Sequence, residues 1–450
     1  MTRSHSQHRY RRIGWGAASG LLARFVAIGF GMWAVPLLVA YLGKTDYGVL
    51  LVGQSVVAWF ALLDMGVAGS LTNHLAEASG RDDHARGRSL VLAAAMLHLG
   101  VGLLGFLACL LIPALPFQQW FPQADAREAA LIARTVQYSG MMFCLVLPLQ
   151  LMNSVLRARQ LSHYANTIMV AGSLLGFVFV WTGVRLSLSM PAIATLQAAA
   201  FALPTLPLWA AAARRHLRGT SGIGWPGAAV FHSLLKLSLP MFMFQLGGLI
   251  INESALLFIS RRCGFETSAD FGLAMRLYGL VFLGGVCMSQ PFYPALREAR
   301  ARGHHTWVRH ALLRLFLVRL SVIALAGVVL LFWGDTILEL WSGQPLKHPL
   351  GLPGWGVLVV LMLTASFTST VSEVMSAMDR VWSQLPILVG NAVVLFTGLH
   401  LTLPSWGITG AFTAMLAGTM VSLAWSVERL ARDPTFRHGA ASESERPPGS

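Results

Sequence analysis

Apolar stretches of about 20 residues, the length that crosses the hydrocarbon of a bilayer, recur from Ile13 to Leu430, each followed by a short polar or basic link. They predict helical spans near 14–40, 48–74, 89–114, 128–153, 164–184, 189–212, 231–259, 270–294, 310–333, 354–378, 384–402 and 406–428. The expected fold class is therefore all-α integral membrane, with about 12 transmembrane helices. The longest link inside the bundle, Arg214 to Ala229, carries Gly, Ser, Thr and Pro. It divides the chain into six-helix bundles over 14–212 and 231–430, joined by a loop over 213–230. A basic terminus, 1–13, precedes them, and a polar tail, 431–450, expected to be disordered, follows.

The two sets of spans carry a similar turn. Leu42-Gly43, with Tyr47-Gly48 shortly after, separates spans one and two; Cys263-Gly264, with Phe271-Gly272 after it, separates spans seven and eight. Equivalent turns between equivalent helices predict a parallel internal repeat. Helix breakers occur inside several spans, at Pro36, Pro148, Pro204, Pro207, Pro240, Pro291 and Pro294. Static kinks account for them, because neighbouring groups in a membrane bundle can take up the freed carbonyls. Bending helices at a repeat interface would need the same residues.

Composition narrows the function classes. Of 450 residues, 55% are hydrophobic and 12% charged, against about a quarter charged in soluble domains. The net charge of +14 would suit nucleic acid, yet its distribution follows membrane topology. With the amino terminus placed in the cytoplasm, most of the 33 Lys and Arg fall on alternate links, Arg86, Arg157, Arg215 and Arg302 among them, whereas Lys44, Arg185 and Lys347 fall opposite. That pattern puts both termini inside and argues against a nucleic-acid partner. Cys109, Cys144, Cys263 and Cys287 lack the paired spacing of a metal site or a disulfide framework. No cofactor is expected, and the residues leave a coupling ion, H+ or Na+, open.

Ionisable side chains inside spans carry the functional signal, since each costs about 2.5–3.5 kcal/mol to insert and so faces protein or water. Arg24 shares a helical face with Gly16, Gly20, Ala27 and Gly31, and Arg276 shares one with Gly272, Gly279 and Gly284. Small-residue stripes pack against helices, which points both guanidinium groups inward. Counted from the two turns, Arg24 lies level with Asp64, and Arg276 with Glu253. Each half thus offers an acid and an arginine at matching depth. Either these pairs lock hairpins, or the arginines exchange their carboxylates for a substrate phosphate, gripped by the planar fork. Lys236, Arg314 and Arg319 are expected to snorkel to the inner surface, and Arg134 to the outer. Glu373 and Asp379, near the inner end of span ten, are expected to pair with Arg380 or a loop. His98 is read as a packed histidine rather than a proton relay, and Asp82-Asp83-His84 as a solvated turn.

The segment Tyr41-Leu42-Gly43-Lys44-Thr45-Asp46-Tyr47-Gly48, with Trp59 and Leu62-Leu63-Asp64-Met65-Gly66 beyond it, resembles the opening helices of bacterial O-antigen and polysaccharide flippases. Gly264 to Leu280, with Phe271-Gly272-Leu273-Ala274-Met275-Arg276-Leu277, is similar to the same family. These flippases form the polysaccharide branch of the multidrug/oligosaccharidyl-lipid/polysaccharide (MOP) exporter superfamily. The resemblance implies two six-helix bundles around a cavity lined by spans one, two, seven and eight, where Arg24, Asp64, Glu253 and Arg276 would lie. It also implies a bacterial inner-membrane location and a polyprenyl-pyrophosphate-linked oligosaccharide, moved to the outer leaflet by alternating access. The partners would be the bilayer, that lipid-linked substrate and other polysaccharide assembly proteins.

Two further classes compete. A cation-coupled multidrug exporter of the same superfamily would favour acids over arginines in its cavity. A membrane-embedded polymerase or glycosyltransferase would need catalytic acids on a substantial outer loop. The longest outer link, Gly334 to Pro353, offers Asp335 and Glu339 but no paired acidic motif, and the expectation is a transporter, not an enzyme.

Overall fold

The computed structural model of the chain describes residues 2–217, 225–289, 305–377 and 384–432. Every regular element among them is helical. The expected connector 213–230 lies partly, and the tail 431–450 almost wholly, outside the described residues. So do Pro291, Pro294, Arg302, Asp379 and Arg380, together with the side chains of Arg215, Glu373 and Cys287.

Two compact units divide the chain. The first, Met1–Gly272 with Trp341–Lys347, contains α1 (Thr2–Leu42), α2 (Lys44–Ala58), α3 (Val67–Gly80), α4 (His84–Cys109), α5 (Ala126–Val146), α6 (Leu151–Ala158), α7 (Ser162–Arg185), α8 (Met190–Ala200), α9 (Leu206–Leu217) and α10 (Ala228–Cys263). It also takes in the opening turns of α11 (Phe265–Ser289). The second, Leu273–Leu340 with His348–Ser450, holds the remainder of α11, most of α12 (His305–Ser342), then α13 (Gly351–Ala377) and α14 (Leu385–Arg432).

Ten helical stretches among the described residues are long and apolar enough to cross a membrane. Helix α11 adds a further membrane-length helix. The last of the ten, Leu385–Arg429, holds two expected spans that meet at Gly407, where the backbone leaves helical geometry at φ 54°. The count read from hydropathy is thereby recovered.

Proline acts in two ways. Pro148 and Pro204 each sit in a short 3-10 segment, Leu147–Gln150 and Leu203–Thr205, that interrupts its span, because proline lacks the N–H that the α-helical ladder needs. Pro36 and Pro240 stay inside the continuous helices α1 and α10.

Helices in lipid gain little from burying apolar surface, so close packing has to hold them together. Helix α1 runs along α7, while α5 packs against α2, α4 and α8. On α3, Val67, Leu71, Leu75 and Ala78 recur at helical spacing and meet Leu90, Ala93 and Ala94 of α4, Leu151 and Ala158 of α6, and Leu234 of α10. Helix α10, which the sequence division assigns to the second bundle, thus packs on α2, α3 and α4. In the second unit α13 runs along α14.

The two turns singled out in the sequence share one backbone geometry. Gly43 has φ 80° and ψ 167°, and Gly264 has φ 84° and ψ 178°. This region is open essentially to glycine alone, and each glycine joins two helices in the same way.

Candidate functional site

The second expected span is broken in its middle. Helix α2 passes at Trp59 into a 3-10 segment ending at Asp64, and Met65 and Gly66 then take left-handed φ values of 48° and 75° before α3 starts. Gly66 is required twice over: besides its φ, a Cβ there would lie 2.4 Å from the Ser238 carbonyl oxygen of α10. The break frees backbone groups that a membrane leaves without water. Gln245 of α10 donates its Nε2 to the Ala61 carbonyl at 2.6 Å, and Asp64 Oδ1 accepts from the Ala68 N–H at 3.1 Å, capping α3.

Asp64 has a second neighbour. The Nε2 of His98, on α4, lies 3.1 Å from the same Oδ1. The contact is at ion-pair distance but is not aligned as a straight hydrogen bond, and neither ring nitrogen has a hydrogen-bond partner among the described residues. His98 is 1% exposed, as a packed histidine should be, and the side chain of Asp64 is 19% exposed.

The pairing expected in the first half does not form. Asp64 faces His98 and the start of α3, and Arg24 takes part in no ion pair among the described residues. Equal sequence distance from the turn did not bring the two side chains together as an ion pair. Arg24 is half-buried on α1. Its stripe packs in part, with Gly20 set against Asn166 of α7, while the space beside Gly31 is open.

Glu253 lies half-buried on α10, and its backbone carbonyl accepts from Ser55 Oγ of α2 at 3.3 Å. The preceding residue on α2, Gln54, donates its Nε2 to Gln197 Oε1 of α8 at 3.0 Å. Arg276, in the second unit, is half-buried on α11, with open space beside Gly279 and Gly284. Among the described residues no atom stands within 4 Å of where a Cβ would lie at either glycine.

A charged cluster gathers at the glycine turns. Lys44 Nζ lies 2.7 Å from Asp270 Oδ1 and also donates to the Pro345 carbonyl. The Lys347 backbone N–H donates to Asp270 Oδ2 at 2.9 Å, and its Nζ lies 2.9 Å from Glu266 Oε2. The Lys347 hydrogen bond, followed by one from Thr45, holds the Glu266 carboxyl below its ordinary range. Nearby, Arg127 makes a two-pronged contact with Asp46 at 2.9 and 2.6 Å. The sequence reading missed this cluster, although Glu266 and Asp270, one helical turn apart beside a glycine corner, are its visible signal.

Other expectations resolve individually. Arg319 does not snorkel: it is fully buried and donates to Ser369 Oγ at 2.8 Å. Lys236, Arg314 and Arg134 are exposed. Asp83 caps α4 through the Arg86 N–H at 2.9 Å, so the Asp82-Asp83-His84 stretch is an exposed turn. Asp335 is fully engaged, accepting from the Leu350 and Gly351 N–H groups and from Trp355 Nε1 at 3.1, 2.9 and 2.9 Å.

Residues 13–299 match the family model described as "Polysaccharide biosynthesis protein". The probable multidrug resistance protein NorM of Rhizobium meliloti (strain 1021) is 26% identical over 228 residues, or 47% of this chain and 45% of that protein. The chain thus aligns with less than half the length of that curated relative. Among solved structures, an inward-facing multidrug resistance MATE family transporter of the MOP superfamily superposes with a TM-score of 0.75 at 16% identity, over 89% of this chain and 94% of its own. A MOP superfamily transporter from Pyrococcus furiosus, whose binding pocket is described as reversed in polarity, gives 0.67 at 15% identity over 93% and 95%. At such identities the likeness is one of fold, the all-helical two-bundle architecture expected from the sequence. The chain is a multi-pass membrane protein and belongs to the polysaccharide biosynthesis protein family.

Proposed function

We propose that this protein is a flippase that moves a polyprenyl-pyrophosphate-linked oligosaccharide from the cytoplasmic to the outer leaflet of a bacterial inner membrane by alternating access, with both termini in the cytoplasm. One observation carries the reading. Arg24 and Arg276, both on membrane helices, have no ion pair among the described residues, and a guanidinium kept in a membrane without a carboxylate is suited to an anionic cargo. Glu253, Gln54 and Gln197 supply acceptors and donors for hydroxyl groups. The bilayer holds the lipid tail, and the other polysaccharide assembly proteins supply and consume the cargo.

A second reading, drug export, is supported by the names of the NorM relative and the MATE neighbour. One set of variants separates the two. Since Asp64 is held by His98, Arg24→Ala strands no carboxylate, and it should accumulate normally in the membrane. We expect it to lose flipping of a lipid-linked oligosaccharide in proteoliposomes, with Arg24→Lys keeping part of the activity because a point charge cannot form the forked contact; Arg276 should behave likewise. Full oligosaccharide flipping by both alanine variants, or efflux of a cationic drug with no movement of the lipid-linked sugar, would overturn the flippase reading.

A further inference from the structure

We infer that the corner between α6 and α7 binds the headgroup of an anionic phospholipid through Arg157 and Arg159. The inference concerns a lipid of the surrounding bilayer and stands apart from the identity of the cargo.

Charge is handled differently at the two ends of the first unit. Beside the glycine turns three cations are matched by acids, Lys44 by Asp270, Lys347 by Glu266 and Arg127 by Asp46. At the opposite end, which the cation asymmetry assigns to the cytoplasm, the acids gather around the α3–α4 turn, where Glu77 meets Arg81 and Asp83 caps α4 with Asp82 beside it. The α6–α7 corner has none of its own. Between Glu128 and Glu253 the sequence contains no Asp or Glu at all. Arg157 and Arg159 fall in that stretch, are exposed, and take part in no ion pair among the described residues. Their counter-charge has to come from another molecule. At a bilayer surface the fixed anion at hand is lipid phosphate, which the forked guanidinium fits.

Packing fixes the corner and leaves both arginines outside it. Leu156 and Ala158, which alternate with them, are each 7% exposed. Leu156 packs with Ala165 and Ile168 of α7, and Ala158 with Ala78 and Leu90 at the end of α3 and the start of α4. Gln160 then takes a left-handed φ of 59°, and α7 begins at Ser162. Two guanidinium groups thus stand on one packed turn where a membrane span starts. Tyr164, in the first turn of α7, is 50% exposed, with its ring 4.3 Å from that of His163, and exposed tyrosine at the end of a span marks headgroup depth. Its hydroxyl is a donor for ester or glycerol oxygens. Further along α7, exposed Leu174 and Val178 offer an apolar surface to acyl chains. Such a site favours an anionic lipid over a zwitterionic one, whose own cation the arginines repel.

Native mass spectrometry of the full-length, delipidated protein in detergent tests the site without any cargo, with phosphatidylglycerol and phosphatidylcholine as probes. We expect the wild type to retain phosphatidylglycerol in preference to phosphatidylcholine. The double variant Arg157→Gln/Arg159→Gln should bind phosphatidylglycerol about tenfold more weakly, since each cation near a lipid surface contributes to the attraction, and should bind phosphatidylcholine as before. Arg127→Gln removes an exposed arginine that already has a carboxylate, and should change neither. Should the double variant fail to accumulate, the wild type in rising salt serves in its place, because screening should release phosphatidylglycerol and spare phosphatidylcholine. Phosphatidylglycerol binding equal to that of Arg127→Gln, an equal loss of both lipids, or binding that ignores salt would each overturn the inference. So would a double variant that keeps phosphatidylglycerol but loses a polyprenyl pyrophosphate, which would assign the corner to the cargo instead. Failure of the flippase assay would leave it standing.

Discussion

Lys44 and Asp270 meet at 2.7 Å, with the acid side chain fully buried and the lysine 13% exposed. Asp270 also accepts the Lys347 backbone N–H, so one carboxylate ties the first glycine turn, the start of α11 and the segment after α12 together. Removing one partner of such a buried pair leaves an uncompensated charge and typically costs about 3–5 kcal/mol. We expect Asp270→Ala to lower the thermal stability of the purified protein more than Lys44→Met does. The double variant should recover part of the loss, because it strands neither charge. Strictly additive losses would show that the two side chains do not act as a pair.

Glu266 gives a pH-dependent counterpart. Its folded-state carboxyl is held below its ordinary range by Lys347 and Thr45, so the contribution is present in full above that range and is lost as pH falls through the depressed value. We expect Lys347→Met to melt below the wild type at neutral pH, with the gap closing in acid. Both groups are substantially exposed, 46% and 39%, so the effect should be small. A gap that widens on acidification would contradict this assignment.

The broken span makes a third prediction. Gln245 supplies the hydrogen bond that satisfies the Ala61 carbonyl. Gln245→Leu keeps the bulk but leaves that carbonyl unpaired, which should cost about 1–3 kcal/mol. Thermal unfolding in detergent would measure it, and a loss indistinguishable from that of an exposed Gln→Leu control would show that the carbonyl finds another donor.

Asp335 tests the enzyme alternative. Its two oxygens hold the start of α13 and the Trp355 indole, which is structural work for an acid that the sequence left open as catalytic. Asp335→Asn should cost about 1–2 kcal/mol, as loss of a helix cap does, and lower the amount of protein in the membrane. Flipping per molecule should stay unchanged. Normal abundance with no polysaccharide product would instead favour a catalytic role.

The helices were legible in the sequence because lipid imposes a length and an apolar composition that few residues can violate. Faces were less so. Arg24 and Asp64 lie equally far from the first turn in sequence, yet the span is interrupted at Trp59–Asp64 and the carboxylate meets His98, which a uniform helical count cannot anticipate. Asp64-Met65-Gly66 in mid-span was the available sign, since a glycine there can supply a left-handed residue. Arg319 escaped for a related reason: its position along the span suggested a route to the headgroups, while its direction, toward Ser369, follows from packing that no single-sequence periodicity contains.

Gly43 and Gly264 constrain what the chain can tolerate. Both corners use a backbone conformation that a side-chain-bearing L-residue enters only at a strain of about 1–3 kcal/mol, so neither is easily reached by small steps through other residues. Each half of the chain therefore has one position whose residue is dictated by backbone geometry alone, whatever the surrounding helices carry.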